Sequence, residues 1–290
     1  MTPRPFYICG PTASGKSGQA LTLAQAWDGE IVNADAFQLY RGLETITAAP
    51  TPEDQAIVPH HLYSVLDPSE TCDAERYRNL AQPVIDDIIA RGKIPIVTGG
   101  SGLYLKFLTH GPSPLPRGNF ALRADLDALT LEELVAELQK IDPVEATQIN
   151  LLNRRYVSRA VEIFRLSGIP ASEQRRNWEH VSKEKENELR GIFLQIPRSI
   201  LHERIAARCS DMLENGAIEE IATNRHHLSE TCRKAIGVPQ ILDMLDETID
   251  YDTCLRLITE ATRQYAKRQE TWFRRETWLQ SWIWDHAYEA

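Results

Sequence analysis

Short apolar runs alternate with amphipathic stretches along the first hundred or so residues. Three runs are short enough to be buried strands: Phe6–Cys9, Glu30–Asp35 and Lys93–Thr98. Apolar residues at helical spacing predict helices over Gln19–Trp27 and Asp73–Arg91, and Pro83 is expected to kink or divide the second. Strands that alternate with helices predict a parallel sheet flanked by helices, which is an α/β fold.

The pattern changes after Gly111. Residues 111–118 are rich in Gly and Pro and predict a hinge, whereas Phe120–Gln174 is helical in almost its whole length. A return strand is predicted over Gly191–Ile196, followed by helices over Arg198–Asn215 and Tyr251–Trp278. We therefore expect an α/β core of residues 1–112 and 188–290, interrupted by an all-helical lobe of residues 113–187.

Composition supports a globular protein with a local binding site. The 290 residues are 42% hydrophobic, enough for a substantial core, and the formal net charge is −9. This acidic balance gives no global attraction for nucleic acid or an anionic membrane, so any polyanion site must be local.

Cysteine usage and the termini predict a cytoplasmic protein. The five cysteines are widely spaced, with no zinc-binding pattern, and His60-His61 lacks companions at ligand spacing. The few residues before Phe6 leave no room for a signal peptide, and no apolar run approaches membrane-spanning length.

The first strand leads into a Gly-x-x-x-x-Gly-Lys-Ser motif, which predicts a P-loop. Its residues are Gly10, Pro11, Thr12, Ala13, Ser14, Gly15, Lys16 and Ser17. Loop amides at a helix N-terminus bind phosphate, Lys16 supplies a cation, and the Ser17 hydroxyl suits Mg²⁺. The motif alone is typical of proteins that bind ATP or another nucleotide.

Asp35 follows the second strand. Because the carboxyl ends of parallel strands share the edge where ligands bind, Asp35 is expected to face the same crevice as Lys16. A carboxylate there suits metal binding or proton transfer; a helix N-cap is the alternative.

Two helical segments are rich in basic residues. One contains Arg154, Arg155 and Arg159; the other, Tyr251–Trp278, interleaves arginine and lysine with Tyr265, Trp272 and Phe273. Both patterns suit a polyanion such as RNA, although a solvated helix face and a core stripe are the alternatives.

The ordered motifs together resemble the tRNA dimethylallyltransferase (tRNA isopentenyltransferase) family, from about Tyr7 to about Arg275. The resemblance is carried by Gly10–Ser17, Asn33–Gly42, Thr47–Pro50, Pro59–Leu62, Asp67-Pro68, Gly99–Tyr104, Ser158–Ile163 and Ala261–Arg274. No zinc-finger spacing is present near the C-terminus, which agrees with the short bacterial type.

The resemblance implies transfer of a dimethylallyl group from dimethylallyl diphosphate to the exocyclic amine of an adenosine beside the tRNA anticodon. The P-loop, Mg²⁺ and Arg263 would then hold a diphosphate leaving group. Asp35 matches the catalytic aspartate of the family, a candidate general base. Ser101 stands where the family usually has threonine, which implies a second catalytic residue whose hydroxyl contacts the target base or tRNA. Ala36, Phe37 and Gln38 lie in its tRNA-contacting segment. A monomer in the cytoplasm is expected.

Further tRNA contacts are implied for Arg123, Arg155 and Arg159 in the lobe and for Lys267 and Arg268 in the basic helix. Two departures weaken single assignments. Val238-Pro239 replaces an aromatic-basic pair, and Tyr156 stands where many members carry arginine, which makes Arg155 less secure than Arg159.

Three other functions fit parts of the sequence. A prenyltransferase acting on free adenine nucleotides would share the P-loop and Asp35, but it needs no basic lobe. A small-molecule kinase or a non-catalytic RNA-binding P-loop protein would leave the later motifs unexplained.

Overall fold

The chain folds into two compact units, one inserted in the other. The computed structural model describes residues 3–112, 115–176 and 186–283. Unit 1 comprises Met1–Thr109 with Glu188–Ala290, and unit 2 comprises His110–Asn187.

Unit 1 is built on a six-stranded sheet in which every pairing is parallel, in the order β3-β2-β4-β1-β5-β6. The strands are β1 Phe6–Cys9, β2 Gly29–Asn33, β3 His60–His61, β4 Ile94–Gly99, β5 Gly191–Gln195 and β6 Gln280–Ile283. Helices lie between successive strands, so the predicted α/β fold is confirmed. It is the arrangement of the P-loop NTPase-like proteins.

Most of the helices belong to unit 1. They are α1 Lys16–Ala26, α2 Glu44–Thr47, α3 Pro52–Ile57, α4 Ala74–Ala90, α5 Gly102–His110, α10 Arg198–Glu214, α11 Ala217–Asn224, α12 Val238–Leu245 and α13 Tyr251–Phe273. The last residue of α5 belongs to unit 2. Unit 2 contains α6 Phe120–Asp127, α7 Leu131–Ile141, α8 Pro143–Gln148 and α9 Arg154–Ser167, and residues 171–176 are also helical. The described residues of the inserted unit therefore carry helices and no strand.

Two element boundaries differ from the sequence prediction. Pro83 does not divide α4, which is continuous through it. The last helix ends at Phe273 instead of Trp278, because the chain turns and the Trp278 ring packs edge-on against Tyr7, with ring centroids 5.3 Å apart. The residues that follow form the edge strand β6, which the sequence pattern did not predict.

Successive residues of the central strands enter different hydrophobic cores. Tyr7 and Cys9 belong to one buried cluster and Ile8 to another, because side chains alternate between the faces of a sheet. Helices cover both faces, which explains why these strands are apolar at almost every position. Unit 2 has a third core of its own, which includes Leu126 and Val157.

A buried ion pair lies at the amino end of β2. Glu30 accepts hydrogen bonds from Arg91 Nη1 and from Arg91 Nη2, the latter at 2.8 Å, and its Oε2 lies 2.7 Å from His61 Nε2. The hydrogen bonds from Arg91 are the main reason that the pKa of Glu30 is lowered to about 2. The His61 ring is thus engaged in a contact with Glu30 at hydrogen-bond distance.

The carboxyl ends of β1, β2 and β4 meet at one edge. Cys9 pairs with Gly99 and Asn33 pairs with Thr98, so the loops that follow these strands leave the sheet together. In an open parallel sheet this edge is where ligands bind. Among the helices of the described residues, none has the length and apolar character needed to cross a bilayer.

Candidate active site at the carboxyl edge of the sheet

The loop between β1 and α1 has the backbone of an anion-binding loop. Ala13 and Gly15 have φ angles of 61° and 85°, and α1 begins at Lys16 without a side-chain cap from the described residues. Such a turn directs successive N–H groups to one side, where the helix N-terminus adds partial positive charge. A Cβ on Gly10 would lie 3.0 Å from Ser14 Oγ, so the first glycine permits the tight turn.

Two cavities adjoin this loop and share Lys16, Ser17 and Arg208. The one that we call the edge cavity, of about 260 Å³, is also lined by Thr12, Asp35, Gln38 and Thr98. The one that we call the loop cavity, of about 290 Å³, is also lined by Ala13, Ser14, Gly15 and Arg204. Ser14 Oγ is buried and has no hydrogen-bond partner in the described part of the chain. A phosphate group would supply that partner.

Lys16 is partly buried beside both a carboxylate and a second cation. Burial lowers the pKa of its ammonium group to about 8, Asp35 opposes this shift and Arg208 adds to it. Lys16 Nζ donates a hydrogen bond to Pro11 O at 2.7 Å, within the loop. Two cations that share one carboxylate leave excess positive charge for an anionic ligand.

Arg208 is the functional candidate that the sequence motifs missed. It projects from α10, and its Nη1 donates to Thr12 Oγ1 at 3.3 Å while Nη2 donates to Thr47 O at 3.4 Å. Burial lowers the pKa of Arg208, and the charge of Asp35 opposes the shift. The available signal was Arg204 and Arg208 on one face of a predicted helix, four positions apart.

Asp35 is held in a fixed orientation just beyond β2. Its N–H donates to Asn33 Oδ1 at 2.8 Å, and its own Oδ1 accepts from Phe37 N at 3.0 Å. Its Oδ2 has no hydrogen-bond donor among residues 3–112, 115–176 and 186–283. The carboxylate therefore keeps one oxygen to accept a proton from a ligand.

The glycine turn after β4 supports the backbone around Asp35. Ser101 Oγ accepts a hydrogen bond from Ala36 N at 2.9 Å, and Ser101 N donates to Ala34 O at 3.3 Å. A Cβ on Gly99 would lie 2.2 Å from the Ala34 backbone, so only glycine permits this approach. Ser101 is thus placed beside the Asp35 segment.

An apolar cavity of about 290 Å³ continues from the edge cavity. The two share Thr12, Asp35, Thr47 and Arg208, and the apolar cavity is further lined by Phe37, Ile46, Met212, Ile236 and Ile258. An anion-binding end that leads into an apolar end suits a ligand with a charged head and a hydrocarbon tail. Asp35 stands at the junction.

The basic residues of α13 occupy different surroundings. Arg268 lines the apolar cavity, with its guanidinium carbon 5.6 Å from the Tyr265 ring centroid, and Lys267 is exposed. Arg263 lies beside His202 on α10 and lines none of the three cavities above. Gln38 Nε2 donates to Thr47 O and Ala48 O at 3.0 and 2.8 Å, which fixes the segment around α2.

Unit 2 carries a concave basic surface of about 600 Å³. It is lined by Arg123, Asp127, Arg154, Arg155, Ser158, Arg159 and Glu162. Glu162 is buried and accepts from Arg123 Nε at 2.9 Å and from Arg159 Nη1 at 2.5 Å, while Arg159 Nη2 donates to Pro116 O. Arg155 is exposed, and its guanidinium makes no hydrogen bond to the described residues. The structure therefore engages Arg159 and Arg123 internally and leaves Arg155 available.

The departure at Val238-Pro239 has a clear local structure. Val238 is fully buried at the first position of α12, and Pro239 lies in its first turn, where its missing N–H costs nothing. Gly237 has φ 99°, and a Cβ there would lie 2.4 Å from Ile46 Cδ1. This segment contributes to the core beside the apolar cavity and offers no cation.

The donor set of the edge cavity fits a magnesium ion. The Ser17 hydroxyl and the Asp35 carboxylate line it together, and Mg²⁺ prefers such oxygen ligands completed by water and phosphate. The shared lining supports Ser17 as the residue that would hold the ion.

Comparison with known proteins gives one consistent result. The family model described as IPP transferase matches residues 38–276. The tRNA dimethylallyltransferase of Akkermansia muciniphila is 44% identical over 276 residues, covering 94% of this chain and 91% of that protein. tRNA dimethylallyltransferase 1 of Trichlorobacter lovleyi is 39% identical over 290 residues, covering 98% and 94%.

Solved structures agree with the sequence comparisons. The full-length tRNA isopentenylpyrophosphate transferase of Bacillus halodurans superposes with a TM-score of 0.70 at 32% identity, covering 97% of this chain and 89% of that one. The structure of a eukaryotic dimethylallyltransferase that acts on tRNA superposes with a TM-score of 0.78 at 28% identity. The match covers 97% of this chain and 74% of that one.

Proposed function

The chain belongs to the IPP transferase family, and from that membership we propose that it prenylates tRNA. It transfers a dimethylallyl group from dimethylallyl diphosphate to the exocyclic amine of an adenosine next to the anticodon, and diphosphate is released. The observation that carries the proposal is the position of Asp35, which lines both the edge cavity and the apolar cavity.

The P-loop would hold the diphosphate as a leaving group. Lys16 and Arg208 are partly buried cations that line both the edge cavity and the loop cavity, and the main-chain N–H groups of the loop add fixed dipoles. Negative charge grows on the bridging oxygen as the carbon–oxygen bond breaks. Preorganised cations and dipoles stabilise that charge in the transition state, so these groups accelerate departure. Ser17 would hold Mg²⁺, which supplies further charge neutralisation when bound.

Asp35 would act as the general base. The nitrogen of the acceptor amine forms a bond to the first carbon of the allyl group, the bond from that carbon to the diphosphate oxygen breaks, and the amine proton passes to the carboxylate. Asp35 Oδ1 is fixed by Phe37 N, which leaves Oδ2 for the proton. The apolar cavity would take the hydrocarbon and exclude water, which would otherwise compete with the amine.

Basic surfaces on each unit would bind the tRNA. In unit 2 this is the concave surface with Arg155, and in unit 1 it is the exposed Lys267 with Arg268. Ala36, Phe37, Gln38 and Ser101 lie beside Asp35, where the target base would enter. The base must leave its stack to reach this site, so we propose that it is flipped. We further propose a monomer in the cytoplasm, where the free, buried cysteines stay reduced.

The test is to incubate the protein with Mg²⁺, dimethylallyl diphosphate labelled in the allyl group, and either unmodified tRNA or adenosine monophosphate. We expect the label to appear in tRNA and not in adenosine monophosphate. Label in the nucleotide alone would overturn the acceptor and favour the nucleotide prenyltransferase. Phosphate transfer from labelled ATP without prenylation would indicate a kinase instead.

A further inference from the structure

Gln269 joins the P-loop to the glycine turn after β4. Its side chain is buried on α13, with the residue 4% exposed. Oε1 accepts a hydrogen bond from Thr12 N at 2.8 Å, and Nε2 donates one to Gly100 O at 3.0 Å. We propose that Gln269 is a positioning residue that sets the diphosphate loop relative to the Asp35 segment, an inference that rests on the function proposed above.

The two contacts require an amide. One end of the side chain must accept from a backbone N–H and the other must donate to a backbone carbonyl; the bond to Gly100 O is buried and the bond from Thr12 N is partly buried. Glutamate has the same shape but lacks the donor, and methionine has a similar length but neither group. Loss of either contact leaves a backbone group without its partner, and for Gly100 O that group is buried.

One face of α13 packs against the glycine turn after β4 at more than one position. Tyr265 and Trp272 lie four positions before and three positions after Gln269, so the three side chains share one face. Burial raises the pKa of the Tyr265 hydroxyl, and the nearby Ser101 partly offsets that rise. A Cβ on Gly100 would lie 2.0 Å from Gln269 Nε2, and one on Gly102 would lie 2.4 Å from Trp272 Nε1. The glycines are therefore matched to side chains of this helix.

From this turn the contacts continue to the reacting groups on both sides. On one side, Ser101 Oγ accepts from Ala36 N, the residue after Asp35. On the other, Thr12 Oγ1 accepts from Arg208, a cation that lines both the edge cavity and the loop cavity. Gln269 thus lies between the group that would receive the proton and the groups that would hold the leaving diphosphate. It contacts neither substrate, because both of its polar ends are already bonded to backbone.

The first test compares Gln269→Met with Gln264→Met, an exposed glutamine on the same helix. Binding of inorganic diphosphate with Mg²⁺ is measured by calorimetry, and the donor KM and kcat are measured with tRNA. We expect Gln269→Met to weaken diphosphate binding and raise the donor KM by about tenfold, the size of one lost hydrogen bond to a positioned backbone group, with tRNA affinity unchanged. Gln264→Met should match the wild type. Wild-type values of diphosphate affinity, donor KM and kcat in Gln269→Met would overturn the proposal.

The second test disturbs the same contact from the other side. Gly100→Ala keeps the Gln269 residue, but its new methyl group would lie 2.0 Å from the amide nitrogen Nε2 and must displace it. We expect the same weakening of diphosphate binding, and a double variant no worse than either single one, because both remove one interaction. Additive losses would overturn the inference. If wild-type protein binds diphosphate but prenylates nothing, the proposed function fails, while the calorimetry still decides the role of Gln269.

Discussion

Arg208 and Thr12 are joined by a hydrogen bond of 3.3 Å between the guanidinium Nη1 and the hydroxyl Oγ1. The contact brings a cation from the middle of α10 to the phosphate loop. Burial lowers the pKa of Arg208, but an arginine remains protonated at any physiological pH, so this site carries a permanent positive charge.

Arg208→Gln should weaken binding of dimethylallyl diphosphate. A charge-assisted contact to phosphate is lost, which corresponds to about a tenfold to hundredfold rise in the donor KM and in the dissociation constant of diphosphate. The control is Arg198→Gln, an exposed residue of the same helix, which should leave both constants unchanged. Equal effects of the two substitutions would exclude a specific role for Arg208.

Asp35→Asn should reduce the single-turnover rate while leaving tRNA affinity nearly intact. A positioned general base contributes a factor of about 10² to 10⁴, and the amide cannot take the proton. Rapid-quench measurement of prenylated tRNA gives the rate, and filter binding gives the affinity. Asp86→Asn, exposed on α4, serves as the control. A large loss of tRNA affinity with a normal single-turnover rate would contradict the role of base.

Donor binding should weaken as the pH rises through about 8. The pKa of Lys16 is lowered to about 8 by burial, so the ammonium group is charged below this pH and loses its proton above it. Only the charged form attracts diphosphate. The dissociation constant should therefore be flat below pH 8 and rise by up to about tenfold per pH unit above it. In the Lys16→Arg variant the side chain stays charged throughout this pH range. Whatever the affinity of that variant for diphosphate, its dissociation constant should no longer change with pH above 8.

Glu30→Gln should destabilise unit 1 without touching the site. Its carboxylate is buried against Arg91, which is 41% exposed, so we expect about 2 kcal/mol, below the ~3–5 kcal/mol of a fully buried pair. The folded pKa of about 2 lies below the unfolded value near 4.5, so the stabilisation is complete above pH 4.5 and disappears as the pH falls towards 2. Urea unfolding at pH 7 and at pH 3.5 should show a smaller difference between wild type and variant at the lower pH. Glu203→Gln, exposed on α10, should show none.

Arg155→Ala should weaken tRNA binding in a salt-dependent manner. Its exposed guanidinium is available for phosphate, so the slope of log K against log salt should fall by about 1 with no change in thermal stability. Arg159→Ala should instead lower the melting temperature, because it leaves the buried Glu162 with one partner fewer. Lys140→Ala, exposed on α7, is the control for both. Identical salt slopes for Arg155→Ala and the wild type would remove Arg155 from the interface.

The sequence predicted the parts of the site that lie next to a strand end. The P-loop and Asp35 each follow a short apolar run that predicts a strand. Because ligands bind at the carboxyl ends of parallel strands, both were expected at one site, and both line the edge cavity. Arg208 was not predicted, because nothing local shows which of several helical arginines reaches a loop far away in sequence. The edge strand β6 was missed because Arg274 and Arg275 continue the helical pattern without a Gly or Pro to end it.

Arg159 shows a different limit of sequence analysis. Its position in a basic helix suggested an available cation, but its two bonds to Glu162 and Pro116 depend on packing within unit 2. Gln269 has no charge and matches no spacing rule. Its importance arises only from the close approach of two loops.

The division of unit 1 between two separated stretches of chain affects the order of folding. β1 pairs with β4 early in the sequence, but its other neighbour is β5, where Tyr7 faces Gly191. A ribosome must therefore complete residues 110–187, which have their own core, before the first strand gains its second partner. Contacts of such long sequence separation slow folding and prolong the exposure of an unpaired strand edge. While the inserted unit is being synthesised, one edge of the P-loop strand β1 is thus left without its strand partner.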